Sequence, residues 1–234
     1  TQWRCCCKQH AEHIQHTDQL AKDNDTVKRI SMDCKATVKL GNFSRGGKTR
    51  GDNTANDHDF GCTEKYIPCG ILDEDGGQLT ISFGNSFKTS DFIVDTIEKW
   101  WSRLTVQEQQ TTEQIQLKVD NGPESSGVRT QFLHRMVEFS QKIGIPIQLL
   151  YYPPYHSKYN PIERCWGALE LHWNGTRLTD VDTMLGWAGS MTWKGLHPLV
   201  NTTQKIYKKG ISLIKAAMRS VEQYIQRNPL LPKW

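Results

Sequence analysis

Three acids define the chemistry open to this chain. Asp33 lies in Ser-Met-Asp-Cys-Lys, Asp120 in Val-Asp-Asn-Gly-Pro-Glu, and Glu163 in Asn-Pro-Ile-Glu-Arg-Cys-Trp. Each has a plain reading and a chemical one. Asn160 can cap a helix with Pro161 at its first position, and Asn-x-x-Glu would then be a capping box. Asp120 beside Asn121-Gly122-Pro123 suits an Asx turn, and Asp33 suits a solvated strand face. The chemical reading brings all three together. Two carboxylates that close cannot both stay ionised without a cation. An all-oxygen, three-acid set suits magnesium or manganese rather than zinc. Two such ions can activate a water or a 3′-hydroxyl and stabilise the leaving oxygen in an in-line phosphodiester displacement.

Convergence depends on the elements that carry the acids. Residues 29–40 alternate apolar Ile30, Met32, Cys34, Ala36, Val38 and Leu40 with polar neighbours, a strand with one face in a core. Asp33 sits mid-strand on the other face, against strand propensity. Ile115–Asp120 alternates again and ends in Asp120. If these two strands are neighbours, the acids' Cα atoms stand about 5 Å apart at the point of pairing. Ile145–Tyr152 is a further strand, running through Pro153-Pro154 into the helix that begins at Asn160. That helix shows Ile162, Trp166, Leu169 and Trp173 on one stripe. Trp166, Trp173, Trp187 and Trp193 read as core rather than as a subunit contact.

Elsewhere, Tyr66–Leu72 and Gln78–Phe83 flank Asp-Glu-Asp-Gly-Gly and read as a hairpin. Ser90 can cap a helix carrying Ile93, Ile97, Trp100, Trp101 and Leu104. A polar Gln/Thr linker precedes Ile115. A helix through Phe132, Met136 and Val137 is stopped by Gly144, and Leu178–Lys194 and Ile211–Gln226 read as further helices. The expected fold is α/β: a mixed five-stranded sheet with helices on both faces, plus a C-terminal helical extension. The expected organisation is a helical segment over 1–28, a core over 29–175 with a loop insertion at 41–64, and a basic extension over 176–234.

Composition narrows the partners. The net charge is only +4, but residues 201–234 hold seven cations against one acid, Glu222, and Lys35, Lys39, Arg45, Lys48 and Arg50 form a second cluster. Such patches suit a polyanion. No apolar run approaches the ~20 residues of a membrane span, so no membrane is expected. Seven cysteines without a disulfide framework fit a reducing compartment. Cys5, Cys6, Cys7, His10, His13 and His16 crowd the first helix but lack zinc-finger spacing. The chain begins at Thr1 and reads as a piece of a longer protein.

The three acid blocks together, with Tyr151-Tyr-Pro-Pro-Tyr-His-Ser-Lys-Tyr-Asn-Pro-Ile-Glu163 the most specific, resemble those of DDE transposases. The group is that of bacterial insertion sequences with the Rhodopirellula-type DDE domain. Asp57-His-Asp-Phe60, Lys65-Tyr-Ile-Pro-Cys-Gly-Ile71 and Thr89-Ser-Asp-Phe92 add to the resemblance, which covers about residues 29–230. It implies a ribonuclease H-like core in a bacterial cytoplasm, associated with the nucleoid. It implies two Mg2+ or Mn2+ ions, with Asp33 bridging both and Asp120 and Glu163 each holding one. It implies double-stranded DNA partners, the terminal inverted repeats and target DNA, handled by a homodimer or higher synaptic assembly. Residues 1–28 would be the remnant of an N-terminal DNA-reading region. Asn121 would orient Asp120 or a metal-bound water, Lys158 and Arg164 would meet backbone phosphates or stand as solvated helix-end cations, and His156 would contact DNA or pack in the turn. The alternative is a truncated or domesticated DNA-binding remnant without catalysis.

Overall fold

The computed structural model describes residues 2–42, 62, 64–152 and 160–229, with side chains from residue 12 onward. The loop insertion at 41–64 therefore falls almost wholly outside the described residues, and so do His156 and Lys158.

A mixed sheet forms the centre. Its strands are β1 (Val27–Cys34), β2 (Val38–Leu40), β3 (Glu64–Asp73), β4 (Leu79–Gly84), β5 (Gln114–Val119), β6 (Ile147–Tyr151) and β7 (Leu199–Thr203). The order is β6-β5-β1-β3-β4-β7, with β2 on β3. Seven strands therefore stand where five were expected. One addition comes from a break in residues 29–40. Cys34 pairs with Cys69 and Val38 with Tyr66, so β1–β2 spends one residue more than β3 between these rungs. Lys35 N–H donates to the Pro68 carbonyl at 3.0 Å, but proline has no N–H to return. The resulting bulge ends β1 just after Asp33. The other addition, β7, comes from the segment expected to be helical; it pairs in parallel with β4.

The helices are α1 (Gln2–Lys22), α2 (Ser90–Trp101), α3 (Val106–Thr111), α4 (Thr130–Ile143), α5 (Pro161–Trp173), α6 (Val181–Ser190) and α7 (Lys215–Glu222). On one face of the sheet, α2 and α4 enclose Ile30, Met32, Cys69, Ile71, Ile115 and Leu117 with Phe92, Ile97, Trp100 and Phe132. On the other, α5 and α6 enclose Ile81 and Phe83 with Ile162, Trp166, Leu169 and Trp173. Each such side chain contributes roughly 1.5–3 kcal/mol of burial. Trp187 and Trp193 pack half-buried against the second cluster.

The polar side chains of β1 and β5 are buried too, so the solvated-face reading of Asp33 fails. Helix α1 lies over them: Asp18 pairs with both Arg29 and Lys118, and Lys118 also meets Glu74 at 2.6 Å. The expected hairpin is present. Its turn is closed by the Asp73 carboxylate, which accepts from the Asp75 and Gly76 amides, and by Gly77 at φ 74°. Two local expectations shift. Thr89, not Ser90, caps α2, accepting from Phe92 N–H, while Ser90 Oγ donates to the Glu124 carbonyl. The polar linker contains α3, closed by a capping box between Thr105 and Glu108.

Candidate active site

Strand direction assembles the site. β1 runs parallel to β5, β5 to β6 and β4 to β7, while β3 runs antiparallel to both β1 and β4. The C-terminal ends of β1, β4, β5, β6 and β7 therefore lie on one end of the sheet, where crevices of α/β folds take their ligands. Asp33 is the penultimate residue of β1, Asp120 follows β5 directly, and β1 and β5 are neighbours, which meets the condition for bringing the two acids together. The chain leaving β6 returns at Asn160 to begin α5.

Helix α5 is fixed to β1 at two points on either side of Glu163. Three residues before it, Asn160, which is almost fully buried, donates from Nδ2 to the Met32 carbonyl at 3.2 Å. Three residues after it, the Trp166 indole N–H donates to Asp33 Oδ2 at 2.9 Å. Spacing of three residues places all of these on one side of the helix. Asn160 occupies the N-cap position but makes no side-chain cap bond. The capping box is not formed, and Glu163 is left for other work.

Trp166 reaches Asp33 because Gly70 faces Asp33 across the β1–β3 ladder. A Cβ on Gly70 would stand 2.7 Å from Trp166 Cη2 and 2.9 Å from Ile162 Cδ1. Only a glycine leaves that space.

Electrostatics tie the three acids together. Burial raises the Asp33 pKa above the ordinary aspartate value, Asp120 raises it further, and the Trp166 N–H pulls back. Burial also raises Glu163, and Asp33 and then Asp120 add to it, with Lys35 opposing. Each charge makes its neighbours harder to ionise. The carboxylates nonetheless stay apart: among the described residues, no three His, Cys, Asp or Glu side chains are gathered at metal-holding separations.

Two contributors were not visible in the sequence. Ser125, nearly fully buried, donates from Oγ to Asp120 Oδ1 at 3.2 Å. Lys88, in the loop after β4, stands 3.8 Å from Glu124. Burial would lower its pKa, but Cys34, Asp120, Glu124 and Asp33 around it hold the ammonium above its usual value. No spacing rule distinguished Lys88 from other lysines. Asn121 is exposed beside Asp120, and Arg164 is exposed on the outer side of α5.

The donor set fits a hard divalent cation: three carboxylates on three elements, with no imidazole among the described groups around them. The Cys34 thiol is no soft ligand here. Its hydrogen bond with Cys69, and then burial, hold its pKa well above the usual thiol value, so it stays protonated.

A family model described as the Rhodopirellula transposase DDE domain matches residues 8–234. No curated protein matches the chain. Among solved structures, a pre-cleavage Mos1 transpososome is similar with a TM-score of 0.56 and 11% identity, over 78% of this chain and 53% of that one. The Mos1 transposase paired-end complex with left transposon end gives 0.54 and 12%, over 78% and 52%. The Mos1 Strand Transfer Complex gives 0.52 and 12%, over 78% and 51%. The chain spans about half the length of these Mos1 chains. The fold is the ribonuclease H-like fold of transposase catalytic domains.

Proposed function

The chain belongs to the Rhodopirellula transposase DDE domain family, and from that premise we propose that it hydrolyses the phosphodiester at the ends of a mobile element and joins the freed 3′-hydroxyl to target DNA. What supports this reading is that the elements carrying Asp33, Asp120 and Glu163 converge on one end of the sheet, that Asp120 raises the Asp33 pKa, and that Asp33 and Asp120 both raise that of Glu163.

Asp33, Asp120 and Glu163 would hold the divalent cations, two by family resemblance. When bound, such ions neutralise developing charge on the attacking and leaving oxygens. The protein's own groups do the positioning. Trp166 fixes one Asp33 oxygen, Ser125 fixes one Asp120 oxygen, and the α5 contacts set Glu163 against β1. Lys88 presents an ammonium at the rim, where a backbone phosphate would be met. Asn121 is assigned to orienting Asp120 and Arg164 to a phosphate contact. The substrate is double-stranded DNA, and a dimer or higher assembly would bring two ends together.

Calorimetry with magnesium and manganese tests this reading on the parent and on Asp33→Asn, Asp120→Asn and Glu163→Gln. Binding by the parent, weakened by each substitution, is the expected result. Undiminished binding by Glu163→Gln would remove Glu163 from the site. Cleavage of labelled element ends without joining would mark a nuclease instead.

A further inference from the structure

We infer that the C-terminal strap, residues 204–229, is a phosphate-binding track for duplex DNA alongside the acids, with Lys208, Lys209, Lys215 and Arg219 as its contacts. The inference rests on the DNA-processing reading and adds to it the surface that holds the duplex.

Topology places the strap. It leaves β7 at the sheet end where β1, β4 and β5 finish, so it starts at the level of Asp33, Lys88 and Asp120. Hydrogen bonds then bind it to the two loops that flank the acids. On the Lys88 loop, Ser86 Oγ donates to the Lys205 carbonyl at 3.2 Å and accepts from Tyr207 N–H at 3.2 Å. Tyr207 is buried against Phe92 and donates from its hydroxyl to Asp95 at 3.0 Å. On the loop after Asp120, Arg129 donates to the Ile211 carbonyl at 3.1 Å, Leu213 N–H to Thr130 Oγ1 at 3.2 Å, and Arg227 to the Gly127 carbonyl at 2.8 Å.

The cations of the strap divide into two sets. Lys205 pairs with Asp95 and so serves attachment, while Arg227 pairs with Glu222 within the strap and attaches through the Gly127 carbonyl. Lys208, Lys209, Lys215 and Arg219 are exposed and form no ion pair among the described residues. Lys209 sits over the Phe87 ring at 4.3 Å, next to Lys88. Lys215 and Arg219 are four residues apart on α7, about 6 Å along its axis. That is close to two phosphate steps of one strand, at about 3.4 Å each. Like charges at this spacing oppose helix formation, and a cation in the first turn opposes the helix dipole. An external polyanion relieves both. Ile206 and Ile214 are exposed on the same strap and would suit a protein partner, so the experiment separates the two.

The test is fluorescence anisotropy of a labelled 30-bp duplex, titrated with the chain at several potassium chloride concentrations. The parent is compared with the quadruple Lys208→Gln, Lys209→Gln, Lys215→Gln, Arg219→Gln. A control removes equal charge at the opposite sheet end: Lys22→Gln, Arg103→Gln, Lys142→Gln, Lys194→Gln. A third variant, Lys208→Arg, Lys209→Arg, Lys215→Arg, Arg219→Lys, keeps the charge. The slope of log affinity against log salt should shrink by roughly three to four units in the quadruple. It should hold in the control and in the charge-keeping variant, with the magnesium affinity of all variants unchanged. An unaltered slope in the quadruple, or an equal loss in the control, overturns the track while leaving the acid site standing. A quadruple that keeps its DNA affinity but changes mass by light scattering makes the strap a protein interface and also overturns it. A parent that binds magnesium but no duplex overturns the track and the DNA substrate together.

Discussion

Replacing Trp166 by phenylalanine tests whether the site is positioned by the indole N–H or merely packed by the ring. The bond to Asp33 Oδ2 is 2.9 Å long, and both partners are buried. A hydrogen bond to a charged group is worth about 1.5–3 kcal/mol. Phenylalanine also leaves part of the space above Gly70 empty, at a further cost of about 1–2 kcal/mol. The melting temperature should fall by about 5–15 °C for a domain of this size. Packing loss alone would produce part of that fall, so the discriminating readout is cation binding. The indole N–H lowers the Asp33 pKa, against the raising effects of burial and Asp120. Without it, Asp33 holds its proton to higher pH and its free oxygen is no longer aimed. Losing such a supporting partner costs about 10-fold in metal affinity, and the onset of binding should move to higher pH. Calorimetry from pH 5 to 8 on parent and Trp166→Phe reads both. A variant with the parent's affinity and the parent's pH onset, whatever its stability, would show that Trp166 is core and nothing more.

Other expected outcomes follow from the same geometry. Gly70→Ala drives a Cβ into Trp166 and Ile162; it should destabilise by about 1–3 kcal/mol in thermal melts and weaken manganese binding as α5 shifts. Asp33 and Glu163 both have raised folded pKa values, so the native state holds more protons than the unfolded chain above pH ~4. The cation-free protein should therefore lose stability as pH rises through that window. In EDTA at pH 7, Asp33→Asn should melt higher than the parent by about 2–4 °C for each kcal/mol of repulsion relieved. With excess magnesium the order should reverse. Lys118, 2% exposed on its side chain, pairs with Glu74 and Asp18. Lys118→Met leaves buried Glu74 to Arg29, 4.0 Å away, and should cost about 3 kcal/mol, read as a melting temperature about 6–12 °C lower.

Asp33 and Asp120 drew attention in the sequence because each is out of place locally: Asp33 is an aspartate within an alternating strand segment, and Asp120 closes another alternating run. Glu163 was ambiguous from spacing alone: Asn160-x-x-Glu163 satisfies the rule for a capping box, and only tertiary contact shows that the Asn160 amide is spent on Met32 O. The strand break at 35–37 depends on Pro68, a residue of the partner strand that one segment's periodicity does not contain. Helix α3 has no buried residue, so it carries no apolar stripe to detect and is set by its capping box alone. β7 reads Leu-Val-Asn-Thr-Thr with no residue fully buried, and it is a strand because β4 offers a free edge. The buried polar side chains of β1 and β5 looked solvent-facing because the helix that covers them, α1, brings its own counter-charge in Asp18.

The manner in which the acids are held fits the proposed cation site. Repelling carboxylates need outside support, and an ammonium bonded directly to them would be the strongest support available in a low-dielectric crevice. It would also compete with any divalent cation for the same oxygens. The described contacts avoid that competition. Asp33 is held by an indole and Asp120 by a hydroxyl, while Asn160 seats α5 by bonding to the backbone of β1. These donors carry no charge and leave other lone pairs free. Lys88, a cation felt by Asp33, has Glu124 as a carboxylate partner outside the triad. Glu124 in turn sits in the loop fixed to α2 by the Ser90 bond to its carbonyl, so that partner remains in place when the triad's charge is neutralised. Neutral clamps on the acids and a rim lysine with a second carboxylate to turn to are what a site built to exchange cations requires.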